Sequence, residues 1–292
     1  MNSAPETTYH RWRPAACLRV SGEDSLTFLQ GQFTNDLQQG TIADATYGLW
    51  LNQKGKVLAD SFVRIASAKE AWIVSYFSTA SVIRERLEAY IVADDVTVED
   101  MTEVTTGLTL FGDVTAPDGG AGGAAWSFAG RRTLKAHREF VFTAGAASEI
   151  NPTSSGGVAL SSEEMEQMRV AAGIPAVPAD IGPADLPNEG GLEAAAISYT
   201  KGCYLGQEVM ARLKSMGQVR RRLLRMRGPG EPPPRPAPVF QAERKVGELR
   251  SAARDGAGWI GLAMVSLVSL QRDQGLALAA GGAPVIRLTD RP

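Results

Sequence analysis

Lys201-Gly202-Cys203-Tyr204-Leu205-Gly206-Gln207-Glu208 is the densest run of chemistry-bearing residues in the chain. Its two glycines let the backbone turn sharply and approach a neighbour closely. From Glu208 to Lys214 the residues favour helix, so the turn opens onto a helix N-terminus. Free N–H groups there, with Lys201 nearby, suit an anion or an electron-rich ring edge. Cys203 lies between that lysine and that N-terminus, a setting that favours the thiolate. The plainer alternative is a small buried cysteine beside a solvated lysine. Spacing alone leaves both open.

Downstream the chain turns basic. From Lys201 to Arg227 stand eight Lys or Arg (Lys201, Arg212, Lys214, Arg220, Arg221, Arg222, Arg225 and Arg227) against one acid, Glu208. That excess suits a polyanion, either a chain of carboxylates or RNA phosphates. The alternative is a solvated strand edge guarded by arginine. The run Gly228 to Pro238 then separates a last piece whose alternating strands and glycine turns fit a small β-barrel. The expected division is 1–227 and 228–292.

Upstream, Ser161 and Glu164 predict a capped helix through Met165, Met168 and Ala172, ended by Gly173 and Pro175. The segment Pro175 to Glu193 is too long for a plain connector, and such loops often line sites. Ala116 to Gly130 and Gly145 to Gly157 read as surface loops. Nearer the start, Ser21 with Asp24 predicts a helix bearing Leu26, Leu29, Phe33 and Leu37 on one face, with Thr34-Asn35-Asp36 at its end. Leu49 to Asn52, the turn Gln53-Lys54-Gly55-Lys56 and Val57 to Ile65 predict a hairpin. Asp60 lies on its second strand, where a carboxylate facing a cavity acts as base or anchor, and one facing outward only aids solubility. Ala71 to Phe77 predicts a strand, Ser81 to Tyr90 a helix, and Val96 to Val98 and Leu108 to Phe111 short strands. The mixture is α+β, a sheet packed on helices.

Composition sets the bounds. The 292 residues carry 30 basic and 32 acidic side chains, a net charge of −2, which excludes nucleic-acid or membrane binding by bulk charge. No apolar run reaches membrane-spanning length, and the N-terminus has no secretory signal, so a cytoplasmic protein is expected. Two cysteines and two histidines, without zinc-ligand spacing, predict no disulfide framework and no metal site.

FLQGQFTND, LNQKGKVLAD, RVAAGIP, DLPNE, KGCYLGQEVMAR, MGQVRRRL, GELRSAA and GLAMVSL follow one another between residues 22 and 267. In this order they resemble the YgfZ family, relatives of the glycine-cleavage T protein, the tetrahydrofolate-dependent aminomethyltransferase. The resemblance implies a three-subdomain clover around a central hole that holds tetrahydrofolate or a derivative, with a C-terminal β-barrel. It implies a part in making or maintaining iron–sulfur proteins and in tRNA modification, with iron–sulfur client or assembly proteins and tRNA as partners. On the matched motifs it points to Asn35, Asp36, Asp60, Lys201, Tyr204, Gln207, Arg212 and Arg222 for folate, and to Cys203, Lys201 and Asp60 for chemistry. Two departures weigh against a working transferase: Ala171 stands where the T protein's R-x-E-x-G helix carries its acid, and Arg132 to Arg138 replaces R-T-G-Y-T-G-E. An aminomethyltransferase and an RNA-binding module remain the competing readings.

Overall fold

The computed structural model describes residues 8–38, 44–112, 125–143 and 157–289. Its strands are β1 (Thr8–Trp12), β2 (Ala16–Ser21), β3 (Ala45–Leu51), β4 (Val57–Ser67), β5 (Glu70–Ser75), β6 (Thr97–Asp100), β7 (Thr106–Phe111), β8 (Ala125–Ala129), β9 (His137–Phe142), β10 (Val158–Ala159), β11 (Arg221–Pro229), β12 (Ala237–Gln241), β13 (Arg244–Asp255), β14 (Gly258–Ser266) and β15 (Arg287–Thr289). Its helices are α1 (Ser25–Gln32), α2 (Ala80–Glu88), α3 (Ser162–Ala171), α4 (Pro187–Gly190), α5 (Glu193–Ala196) and α6 (Gln207–Met216). The strands form three five-stranded sheets, ordered β3-β4-β5-β2-β6, β10-β1-β7-β9-β8 and β12-β13-β14-β11-β15.

In the first sheet β3 and β4 make the expected hairpin, turning at Gly55 with φ +69°. Side chains alternate across it with period two. Trp50, Ala59 and Ile73 face α1 and α2, whereas Leu49, Leu51, Phe62 and Val74 face the centre of the molecule. Both faces are therefore buried, which accounts for the unbroken apolar run of β5.

Helix α1 stops at Gln32, short of what the spacing of Phe33 and Leu37 predicts. Phe33 is extended at ψ 142° and bridges to Trp50, with ring centroids 4.8 Å apart. Phe33 and Leu37 are buried, but against the sheet and not along a helix. The Ser21–Asp24 capping box does not form, since the Asp24 carboxylate accepts instead from the Asp95 N–H at 2.8 Å. The box at Ser161 does form and starts α3.

Two other expectations change. The Gly/Ala-rich stretch from 116 holds strand β8 at its end, because Trp126 and Phe128 give it an inner face. Residues 113–124 and 144–156, which carry most of the two expected loops, lie outside the described residues. Strand β11 begins at Arg221 and pairs with β14 through Pro229, burying Leu223 and Met226. The 227/228 division thus falls inside a strand of the third sheet.

One face of each sheet meets in a shared core. Leu49, Phe62 and Val74 come from the first sheet, Trp12, Phe128 and Val141 from the second, and Leu223, Ile260 and Leu262 from the third. The clover arrangement follows: three sheets, each with an outer apolar cluster of its own and one inner face in common.

Candidate functional site

Asp60 sits where the first sheet meets the β8–β9 connection of the second and α3. The period of β4 puts it on the same inward face as Phe62, and it is only 6% exposed. Tyr47 Oη donates to its Oδ2 at 2.9 Å, while Ser78 Oγ and Ser75 Oγ donate to Oδ1 at 2.9 and 3.2 Å. Burial pushes this carboxyl above its ordinary range, and the hydroxyls and the Arg131 guanidinium offset part of that rise. Arg131 lies over the Tyr47 ring, 4.2 Å from its centroid.

Around Asp60 runs a passage with a narrow waist. The waist, about 10 Å³, is lined by Tyr47, Asp60, Tyr76, Phe77, Arg131 and Arg132 among others. On one side it shares Arg131, Ile174 and Pro175 with a cavity of about 220 Å³ that extends to Gly173, Gly190 and Gly191. On the other it shares Tyr76, Phe77, Arg132 and Arg169 with a cavity of about 230 Å³. Both cavities thus border the small space at Asp60, one through Arg131 and the other through Arg132.

Arg132 is held by a buried network. Its Nε donates to Glu139 Oε1 at 3.0 Å, and its guanidinium is packed on Tyr76 and Trp12, 3.8 and 4.3 Å from the ring centroids. Glu139, fully buried, also accepts from Tyr76 Oη at 3.0 Å and Thr109 Oγ1 at 2.7 Å. His137 takes the Arg132 backbone N–H on Nε2 at 3.2 Å, and its Nδ1–H donates to Lys135 O at 2.7 Å. Arg169 closes the far wall, joining Glu166, Asp180, Ile174 O and Ser251 Oγ.

The KGCYLGQE segment turns onto α6 as its glycines predict. Gly206, at φ +87°, is the cap, and a Cβ there would meet Asn52 O at 3.1 Å and Gly55 Cα at 3.3 Å. Two glycine turns from distant parts of the sequence are thus packed back to back. Lys201 is 8% exposed, and its ammonium donates to Gln30 O, Phe33 O and Asn35 O at 2.6, 2.7 and 3.0 Å. It serves the carbonyls at the end of α1, and burial lowers its pKa to about 8. Cys203 is an exposed free thiol, and Tyr204 is buried with its hydroxyl unpartnered.

Several sequence-selected residues form one connected group. Lys201 holds Asn35 O, Asn35 Nδ2 donates to Tyr47 O at 2.8 Å, and Tyr47 reaches Asp60. Asn35 Nδ2 also lies 3.3 Å from Ala195 O on α5, the helix whose Glu193 is 3.8 Å from Arg222. Asp36 instead accepts from Gln30 and the Gln38 N–H. Gln207 and Arg212 lie on α6, and among the described residues no side-chain bond ties either to this group. The basic stretch is matched in part by acids from elsewhere: Arg221 pairs with Asp185 and Glu189, and Arg227 with Asp255. Arg212 and Arg220 stay exposed. Tyr47, Ser75, Ser78, Tyr76, Phe77 and Arg131 escaped the sequence reading. The signal available was period two on β4, which aims Asp60 at whatever the neighbouring strand ends carry.

A family model described as the GCVT N-terminal domain matches residues 14–115, and one described as the CAF17 C-terminal beta-barrel domain matches 220–288. The iron-sulfur cluster assembly factor IBA57, mitochondrial, of Homo sapiens is 30% identical over 274 residues, covering 85% of this chain and 74% of that protein. The chain belongs to the family of IBA57 and YgfZ. The tRNA-modifying protein YgfZ of Sodalis glossinidius is 26% identical over 296 residues, spanning 92% of this chain and 90% of that one. In fold, the glycine cleavage system aminomethyltransferase T from Bartonella henselae superposes with a TM-score of 0.82 at 15% identity, covering 98% of this chain and 86% of that chain.

In this member of the YgfZ family, α3 offers the passage no acid at Ala171. That residue packs against the shared core, and its carbonyl is taken by Arg225. The remaining groups suit a flat heteroaromatic ring. Asp60 presents a hydrogen-bonding carboxyl, Tyr47, Tyr76 and Phe77 supply aromatic rings, and Gly173, at φ +70°, leaves open space where a Cβ would stand. Among the described residues no helix is long and apolar enough to cross a membrane, and no cluster of His, Cys, Asp and Glu could hold a metal ion.

Proposed function

We propose that this chain is a tetrahydrofolate-binding accessory factor in the making or upkeep of iron–sulfur proteins, with tRNA modification among the processes it serves. The observation that carries the folate reading is Asp60, a buried carboxylate at a narrow space lined by ends of the first two sheets and by α3. The names of the human and Sodalis relatives support the iron–sulfur and tRNA parts.

In this reading the ring occupies the Arg131 side of the passage. Tetrahydrofolate supplies, when bound, a ring nitrogen able to carry a one-carbon unit. The protein's residues do the positioning. Asp60 accepts hydrogen bonds from ring N–H groups, while the Tyr47, Ser75 and Ser78 hydroxyls hold the carboxylate in place. Arg131 must lift from Tyr47 for a ring to reach the waist, and on returning it excludes water. Asn35 and Lys201 brace Tyr47 from behind, and Asp36, whose N–H donates to Asn35 Oδ1, stands beside that brace. Cys203 adds an exposed thiol as the candidate nucleophile or redox group.

A calorimetric titration of tetrahydrofolate into wild-type protein, Asp60→Asn and Lys201→Ala tests this. Saturable binding, weakened at least tenfold by Asp60→Asn, is expected, and absence of binding to the wild type sinks the folate reading. Complementation of a strain lacking its own YgfZ tests the rest, with Cys203→Ser as the probe of the thiol. The retained Asp60 also favours a second reading, aminomethyl transfer from a lipoyl carrier protein. Product formation with that carrier and tetrahydrofolate would decide for it, and Ala171 counts against it.

A further inference from the structure

Ser78, shortly after β5, is 1% exposed, and its hydroxyl has more acceptors than it can serve. Its Oγ accepts the Asp60 backbone N–H at 3.0 Å, and lies 2.9 Å from Asp60 Oδ1 and 3.0 Å from Val177 O. A serine hydroxyl has one proton to give. Tyr47 and Ser75 face no such choice. Among the described residues, the Asp60 carboxyl is the one acceptor either hydroxyl reaches.

Val177 O has nowhere else to turn. Val177 is fully buried, and among the described residues no other donor reaches its carbonyl. The backbone is pinned on both sides of it. Arg169 donates to Ile174 O at 2.5 Å, the Ala176 N–H donates to Asp180 Oδ2 at 2.8 Å, and the Asp180 N–H donates to Ala176 O at 2.7 Å. Buried carbonyls are seldom left without a donor.

The proton count allows two arrangements. With Asp60 ionised, its carboxylate draws the Tyr47, Ser75 and Ser78 hydroxyls, and Val177 O is stranded. With Asp60 protonated on Oδ1, that O–H donates to Ser78 Oγ, the Ser78 proton turns to Val177 O, and every group in the set is satisfied. Burial acts in the same direction, because it raises the pKa of this carboxyl.

We propose that Ser78 is a positioning residue that couples the Asp60 proton to Val177 O. Its hydroxyl serves the carbonyl while Asp60 is protonated, and swings to the carboxylate when that proton leaves to solvent. Around Asp60, burial keeps Tyr47 on β3 and Tyr76 after β5 neutral, and Arg131, Arg132 and Arg169 border the same space as cations. Asp60 is therefore the member of this set that changes charge between acid and neutral pH. A ring N–H group is held more tightly by the ionised form, so a folate ring displaces the proton. That last consequence alone rests on the folate reading.

Carbon-13 NMR of the ligand-free full chain tests the coupling. The Asp60 Cγ resonance follows ionisation, the Val177 carbonyl resonance follows its hydrogen bond, and both should move with one midpoint. In Ser78→Ala the Val177 movement should vanish while Asp60 still titrates. Ser78→Thr, which keeps the hydroxyl, should restore it. A Val177 resonance that stays still through the wild-type Asp60 titration overturns the proposal, as does one that still follows Asp60 in Ser78→Ala. The wild-type comparison needs no variant to fold. Tetrahydrofolate is then titrated calorimetrically below that midpoint, in two buffers of different ionisation enthalpy. Release of roughly one proton per ring bound is expected. Binding without proton release overturns the link to the ligand, whereas absence of binding sinks the folate reading and leaves the coupling seen by NMR intact.

Discussion

Replacing Arg169 by Met removes a guanidinium that is 3% exposed and makes five hydrogen bonds, two to Glu166 and one each to Ile174 O, Asp180 and Ser251. Methionine preserves most of the packing volume, so the loss is one of charge and hydrogen bonding. Glu166, a third exposed, turns to water at small cost. Asp180 is fully buried, and its Oδ1 already has no partner, so its charge would be left with the Ala176 N–H at 2.8 Å. Stripping a buried charge of its partner costs about 3–5 kcal/mol. The surviving amide bond puts the expected loss near the lower end, about 3 kcal/mol. Against a typical total of about 5–15 kcal/mol, that is a large fraction. Urea unfolding followed by tryptophan fluorescence measures it. The double variant Arg169→Met/Asp180→Asn, with the stranded charge removed, should recover about 1–2 kcal/mol. A loss below about 1 kcal/mol, or a double variant no better than the single, would refute the argument that Asp180 needs this arginine.

Asp60 titrates above its unfolded value of 3.8, so the native state holds its proton longer and stability falls as pH rises from about 4 through the native value. Asp60→Asn should flatten that part of the stability–pH curve, and an unchanged curve would count against a raised carboxyl. For Lys201 the native value of about 8 lies below the ordinary 10.5, so the unfolded state binds more protons between them and stability rises with pH across that window. The rise is about 3 kcal/mol at most, and urea midpoints measured from pH 7 to pH 10 should show it in wild type but not in Lys201→Met; parallel curves would dismiss it. In Gly107→Ala the new Cβ would lie 2.2 Å from the Trp12 ring, and about 1–3 kcal/mol should be lost, measured by thermal unfolding.

What the sequence revealed was local. The hairpin around Gly55, the box at Ser161 and the glycine that starts α6 are each decided within a few residues. What it concealed depends on partners far along the chain. Phe33 and Leu37 continue a helical spacing, yet the end of α1 is settled by a bridge to Trp50. Strand β8 is hidden in glycine and alanine because its pairing partner, β9, supplies the order. The eight-fold basic run between Lys201 and Arg227 looked like a site for a polyanion, but Asp185, Glu189 and Asp255 answer part of it from outside the run. Asp60 was legible as a strand carboxylate, and its direction was not. Its hydroxyl partners come from two other strand ends, which no single spacing links.

Lys201 has a consequence for how the chain is made. The carbonyls it satisfies belong to residues 166 to 171 positions earlier. Thr34 likewise awaits Ala196 and Ser198, and Gly31 awaits Leu205. At about 5–20 residues per second, the ribosome takes roughly ten to thirty seconds to reach them. From the emergence of β6 at Asp100 onward, the first sheet is a nearly complete unit with an open seam of unmet acceptors beside Phe33. A nascent-chain binding factor would find its longest-lived target at that seam, before the turn at Lys201 emerges and closes it.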